Sequence, residues 1–322
     1  MPLIMESEYL KRPWYFLNAH FETIIPSIFN KVEGVEYSRE RLELDDGDFL
    51  DLDWLKAGSK RLMIISHGMD GSTDRHYMKR AAKFFHGRDW DILAWNNRGC
   101  SGELNRLARS YHHGETRDLS EVVERGLKED YEGIVLLGIS MGGCQTVKYF
   151  GDHQTDHRVL GGFTVSVSCN LEDTSIEAER RLGGFYGKRF LEKIKDTYKR
   201  KSIIHAELQQ IDIGRINSFD ELHEMITTKL FGFDSKEDFY TKSSCINYIN
   251  QIKKPVFILN AKNDPLLGAK CFPIDEIRKH KHLYAEYPKY GGHVGFTIPG
   301  NKNSYIELRA EKFINEVILP SS

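Results

Sequence analysis

Residues Glu132–Cys144 read EGIVLLGISMGGC, and the fold is decided by this stretch. Four consecutive apolar residues, Ile134-Val135-Leu136-Leu137, run into Gly138-Ile139-Ser140-Met141-Gly142, and helix-compatible sequence follows to Tyr149. The pattern predicts a buried strand, a sharp turn and a helix, with Ser140 at the apex. A serine on such a turn needs neighbours without Cβ atoms two positions to either side, because side chains there collide with the strand and the helix. Gly138 and Gly142 meet that need. The bare five-residue pattern arises by chance in about one chain in ten of this length. The apolar run before it and the helix after it are what give it weight. Ser140 is therefore the candidate nucleophile, and the first amides of the following helix carry partial positive charge toward any oxyanion formed there.

Outward from this stretch the sequence alternates strand and helix. Arg61–Ser66 (RLMIIS) is a short apolar strand ending in His67-Gly68-Met69-Asp70-Gly71-Ser72, and a helix is expected over 75–87. Asp91–Trp95 is a second strand, ending in Asn96-Asn97-Arg98-Gly99-Cys100-Ser101-Gly102; Glu115–Leu127 reads as a helix and Val159–Val167 as a further strand. Such alternation implies an α/β protein with a mostly parallel sheet covered by helices on both faces. Upstream, Arg39–Leu44 and Phe49–Leu55 alternate around Asp46-Gly47, a hairpin signal that places an antiparallel pair at the sheet edge.

Residues 1–36 hold an aromatic-rich arm, with Trp14-Tyr15-Phe16 and His20-Phe21-Glu22-Thr23-Ile24-Ile25-Pro26, expected to pack on the core. Between 170 and 250 the alternation stops, and charged segments with interspersed aromatics suggest amphipathic helices; a strand-free stretch of this length is best explained as an inserted helical cap. The alternation returns at Pro255–Asn260 and Leu283–Tyr287, before a closing helix over 304–318. The expected division is thus an arm (1–36), a core (37–169 and 251–322) and a cap (170–250).

Two further residues suit the chemistry of Ser140. A serine hydroxyl needs a base to take its proton, and an imidazole serves best when a carboxylate fixes its tautomer. In parallel sheets, ligands gather at the C-terminal ends of the strands. Asp264 lies in the loop leaving Phe257–Asn260, and His293 lies in Tyr290-Gly291-Gly292-His293-Val294-Gly295-Phe296 after the next strand. The chain order Ser, Asp, His matches that of hydrolases with a nucleophile elbow. The amides of Met141 and Met69 are the candidate oxyanion donors. His67, Gly68 and Arg98, in the turns after two strands, are candidates for substrate contact, with His67 expected to order its loop rather than carry protons. Cys100 reads as a small residue in a tight turn.

Composition sets outer limits. The chain has 322 residues, 40% hydrophobic and 29% charged, as in a soluble globular protein. Its net charge of −2 gives no electrostatic reason to expect nucleic acid or an anionic membrane as partner. The five cysteines are odd in number and form no CxxC pair, which suggests a reducing, cytoplasmic compartment. Glu6, Glu8, Lys11 and Arg12 interrupt any signal-peptide core, and no apolar run is long enough to span a membrane. No residues have recognisable metal-ligand spacing, so neither metal nor cofactor is expected.

The combination of GISMGG, HGMDGS, NNRGCSGELN, the tract Tyr111–Leu119 and the arm motif His20–Pro26 resembles the YheT-like branch of the α/β-hydrolase fold, also called the type 4 AB hydrolase family, over residues 14–318. The resemblance implies an eight-stranded sheet, a helical cap and a Ser-Asp-His triad carried by Ser140, Asp264 and His293. Members are mostly described as esterases or hydrolases, eukaryotic relatives act on medium-chain acyl esters and phospholipids, and some carry an N-terminal membrane anchor. The family usually has Gln where Glu22 stands and Ser where His113 stands. The expected activity is that of a serine carboxylesterase acting on short- to medium-chain or lipid-like acyl esters. An acyltransferase using the same triad is the alternative, followed by a non-catalytic binding protein.

Overall fold

The computed structural model describes residues 2–320. Among the described residues nine strands build a single sheet: β1 (Leu3–Ile4), β2 (Ser38–Glu43), β3 (Phe49–Leu55), β4 (Arg61–Ser66), β5 (Asp91–Asn96), β6 (Gly133–Ile139), β7 (Val159–Val165), β8 (Val256–Leu259) and β9 (Leu283–Glu286). Their spatial order is β1-β9-β8-β7-β6-β4-β5-β3-β2. Pairing is antiparallel for β2 with β3 and for β3 with β5, and parallel elsewhere. The count exceeds the eight implied by family resemblance because two residues of the arm add an edge strand, with Leu3 opposite Ala285.

The apolar runs become central strands because both faces of the sheet are covered, and every residue of β5, β6 and β8 is buried. Alternate side chains point to opposite faces. Leu62, Ile64, Ile134 and Leu136 pack with Leu119 and Val122 of the helix Arg117–Leu127 and with Val147 of the helix Met141–Asp152. Met63, Ile65, Val135 and Leu137 pack on the other face with Met78 and Phe85, and with Ile306 and Phe313 of the closing helix Tyr305–Phe313.

Six helices matter for the site: α1 (Ala19–Phe29), α2 (His76–His86), α3 (Arg117–Leu127), α4 (Met141–Asp152), α5 (Leu171–Arg180) and α6 (Phe185–Ser202). Asn18 caps α1 through its side-chain oxygen, and Asn170 caps α5 by accepting from the Asp173 N–H at 2.9 Å. Among the described residues none from Leu171 to Gln251 is in a strand. This segment has its own apolar cluster, including Tyr186, Leu191, Tyr198, Ile216, Phe219 and Ile226, which also takes in Ala108 and Leu266. Lys201, wholly buried near the end of α6, fastens the segment down by donating to Asn105 Oδ1 at 2.5 Å and to the Leu107 carbonyl at 2.7 Å. Burial lowers its pKa to about 8. The arm buries Leu3, Tyr9 and Phe16 but leaves Trp14 89% exposed.

Candidate active site

Strand β6 ends at Ile139 and α4 begins at Met141, so Ser140 alone makes the turn, with φ +57° and ψ −116°. Such a conformation is strained for a residue with a side chain and persists only when its surroundings enforce it. Here they do. The Ser140 N–H donates to the Val165 carbonyl at 2.9 Å, the Gly142 N–H to the His67 carbonyl at 3.1 Å, and Thr146 Oγ1 to the Gly142 carbonyl at 2.7 Å. Both glycines are sterically required: a Cβ on Gly138 would lie 2.4 Å from the Gly142 carbonyl oxygen, and one on Gly142 would lie 2.4 Å from that of Ser66.

The loops after β8 and β9 bring Asp264 and His293 to this turn. His293 Nε2 lies 2.9 Å from Ser140 Oγ, and His293 Nδ1 lies 2.8 Å from Asp264 Oδ2. The Asp264 side chain is fully buried, and its other oxygen accepts the Leu266 N–H at 2.9 Å. A buried carboxylate facing Nδ1 holds the proton there, which leaves the Nε2 lone pair for the serine hydroxyl.

The two expected oxyanion donors flank the serine. Met141 follows it directly, and the turn after β4 reaches it from the other side: a Cβ on Gly68 would lie 3.0 Å from Ser140 Cβ. Among the described residues, neither the Met69 nor the Met141 amide donates a hydrogen bond. Tyr77, which the sequence reading did not single out, accepts the Gly68 N–H through its hydroxyl at 3.3 Å. Burial pushes that phenol up to about 12, so it stays a neutral support for the turn.

Of the three residues expected to contact substrate, only Gly68 lines the cavity above Ser140. Arg98 is buried elsewhere. Its guanidinium binds Asp118 at 2.8 and 2.7 Å, Asp46 at 2.7 Å and Asp48 at 3.1 Å, tying the β2–β3 turn to α3. His67 is likewise enclosed: its Nδ1 is 2.7 Å from the Gly68 carbonyl, and its Nε2 accepts the Asn97 N–H at 3.1 Å. Burial lowers its pKa to about 4, so it is a neutral tie between two loops.

The cavity has a volume of about 190 Å³, with Ser140 and His293 in its wall. Much of its lining is apolar: Met69 from the β4 turn, Leu171 from α5, Tyr186 and Phe190 from α6, Phe239 farther along, and Ile24 from α1. The arm thus reaches the cavity through its His20–Pro26 motif, a placement that no local pattern in the sequence announces. A smaller cavity of about 80 Å³ adjoins the first and shares Met69, His113, Phe219, His223 and Phe239 with it. Burial lowers His113 to about 4 and His223 to about 3, so both imidazoles are neutral in the shared wall, which also holds the Asp70 carboxylate. Among the described residues there is no group of three His, Cys, Asp or Glu side chains arranged to hold a metal ion, and no helix long and apolar enough to cross a membrane.

Residues 57–272 match the family described as serine aminopeptidase, S33. A protein of Escherichia coli (strain K12) named as a candidate esterase, YheT, is 30% identical over 290 residues, covering 87% of this chain and 85% of its own. The Mus musculus phospholipase ABHD3 is 25% identical over 333 residues, covering 98% of this chain and 80% of its own. Among solved structures, the Pyrococcus furiosus esterase Pf2001 aligns with a TM-score of 0.58 at 18% identity, over 88% of this chain and 93% of its own. At that identity the likeness speaks for the fold alone.

Proposed function

The chain belongs to the serine aminopeptidase, S33, family of α/β-hydrolases, in its YheT-like branch, and from that premise we propose that it cleaves short- to medium-chain acyl esters through Ser140, His293 and Asp264. The observation that carries this reading is the pair of 2.9 and 2.8 Å contacts linking hydroxyl, imidazole and buried carboxylate beside an apolar cavity.

In this mechanism Ser140 Oγ attacks the ester carbonyl carbon while its proton passes to His293 Nε2. Asp264 steadies the imidazolium without taking the proton. The carbonyl oxygen, now negative, is met by the unpaired amides of Met69 and Met141. As the tetrahedral intermediate collapses, His293 returns the proton to the departing alkoxide, the carbon–oxygen bond breaks, and the acyl group stays on Ser140. Water then attacks the acyl-enzyme with His293 as base, releasing the carboxylic acid and restoring the hydroxyl.

The strand-free segment 170–250 acts as a cap in this account, since Leu171, Tyr186, Phe190 and Phe239 cover the cavity and meet the acyl chain. The relatives named as esterase and phospholipase are consistent with an acyl ester as substrate. A series of p-nitrophenyl esters from acetate to decanoate tests the proposal. The expected result is turnover with kcat/KM highest for a chain between the two ends; no cleavage of any member would contradict it.

A further inference from the structure

Helix α1 of the arm is bonded to both loops that carry the relay. The Gly291 N–H donates to Glu22 Oε2 at 2.6 Å, and the side-chain amide of Asn263 donates to Glu22 Oε1 at 3.0 Å. Asn263 directly precedes Asp264, and its own Oδ1 accepts the Gly292 N–H at 3.0 Å, so Glu22 joins a network spanning the two loops. On the next residue of α1, Thr23 Oγ1 accepts the backbone N–H of His293 itself at 2.9 Å. That hydroxyl is held in turn by donating to the Ala19 carbonyl at 2.8 Å. Helix and loop meet backbone to backbone: a Cβ on Gly295 would lie 2.2 Å from the Glu22 carbonyl oxygen.

The placement of Glu22 is informative because it is costly. Its carboxylate is 1% exposed, and its charge is answered by Arg12 at 2.6 Å, whose guanidinium also sits over the Tyr290 ring at 4.8 Å. A buried charge is tolerated when hydrogen bonds and a counter-ion surround it, and an apolar residue would fill the same space at lower cost. Besides Arg12, the partners of the Glu22 carboxylate, Asn263 and Gly291, both lie on the loops of Asp264 and His293. An imidazole that must span two partners within hydrogen-bond distance has its position set by its backbone, and a displacement of about 1 Å costs on the order of 100-fold in rate.

We propose that Glu22 and Thr23 are positioning residues: through Gly291, Asn263 and the His293 amide they hold the two loops so that the imidazole bridges Ser140 and Asp264, which makes the arm a working part of the site. This rests on the reading of His293 as the base.

The test uses the full chain with Thr23→Val, Thr23→Ser, Glu22→Ala and Glu22→Gln. Each variant is followed by melting temperature, by kcat and KM on p-nitrophenyl butanoate, and by the far-downfield proton resonance of His293 Nδ1–H, which needs no substrate. Thr23→Val keeps the size of the side chain and removes the acceptor. It is expected to lower kcat about 10-fold or more, with KM within about twofold and the resonance broadened or shifted. Thr23→Ser restores the acceptor and should recover most of the loss. Glu22→Ala should behave like Thr23→Val, with Glu22→Gln, which keeps an acceptor for Gly291, in between. An unchanged kcat and resonance in Thr23→Val, a loss confined to KM, or a Thr23→Ser variant as impaired as Thr23→Val would overturn the proposal; the threonine pair decides it even if Glu22→Ala does not fold. A wild-type protein that shows the resonance but cleaves no ester would count against the esterase reading instead.

Discussion

His293 Nε2 lies 2.9 Å from Ser140 Oγ although 153 residues separate them in the chain. Ser140 is fixed by its strained turn between β6 and α4, and His293 by a loop after β9, so the contact depends on the whole sheet being in register.

The turn around Ser140 makes a first prediction. Gly142→Ala places a methyl group 2.4 Å from the Ser66 carbonyl oxygen, too close for any small adjustment of a buried strand end. The variant should lose several kcal/mol of stability, roughly 3 or more, by the mechanisms that produce the largest single-site losses. Chemical denaturation checks this, and a variant within about 1 kcal/mol of wild type would show that the elbow is not held as described.

A second concerns pH. His67 is buried and His113 is half-buried in the cavity wall, and desolvation lowers both pKa values to about 4 from the usual 6.5. The unfolded chain therefore takes up their protons first, and the stability they contribute, complete above pH 6.5, is lost as pH falls toward 4. Each accounts for on the order of 3 kcal/mol across that window. In His113→Ser the slope of unfolding free energy between pH 6 and 4.5 should fall by about 1 kcal/mol per pH unit. An unaltered slope would mean that His113 is not enclosed as a neutral ring.

The strand-free segment 170–250 supplies a third. Lys201 is the only charged group meeting Asn105 Oδ1 and the carbonyls of Leu107, Ala108 and Arg109 among the contacts described for them. Lys201→Met leaves Asn105 Oδ1 and the Ala108 carbonyl without the donor it supplies, while the carbonyls of Leu107 and Arg109 keep only the Asn105 side-chain amide, a loss of about 2–4 kcal/mol. Cleavage by a protease within 170–250 should accelerate accordingly; equal rates for variant and wild type would argue that α6 is held by its apolar contacts alone.

Substrate preference gives a fourth. Phe239 stands in the wall shared by the two cavities. Phe239→Leu, which keeps an apolar side chain, should open the smaller space to the acyl group and raise kcat/KM for decanoate relative to butanoate by on the order of 10-fold. An unaltered ratio in folded protein would place the acyl chain elsewhere.

Much of this was legible because its determinants are local. Gly138, Ser140 and Gly142 lie within five residues, and an apolar run followed by a helix reads the same in sequence as in space. The placement of Asp264 and His293 near Ser140 could be expected because they occupy loops just after strands. What escaped depends on distant partners. Arg98 reads as a candidate for substrate contact, but Asp46, Asp48 and Asp118 surround it, and no local pattern announces that. The pairing of Leu3 with Ala285 involves a strand too short to show a period. The arm was expected to pack on the core, yet the bonds from Glu22 and Thr23 to the histidine loop cross about 270 residues of chain.

The central claim is that the hydroxyl of Ser140 is the nucleophile, and fluorophosphonate labelling of wild type beside Ser140→Ala and His293→Ala measures it directly. The account predicts one label per wild-type chain on Ser140, none on Ser140→Ala, and labelling slowed by roughly 1,000-fold or more in His293→Ala. A Ser140→Ala protein that is labelled as fast as wild type would contradict it.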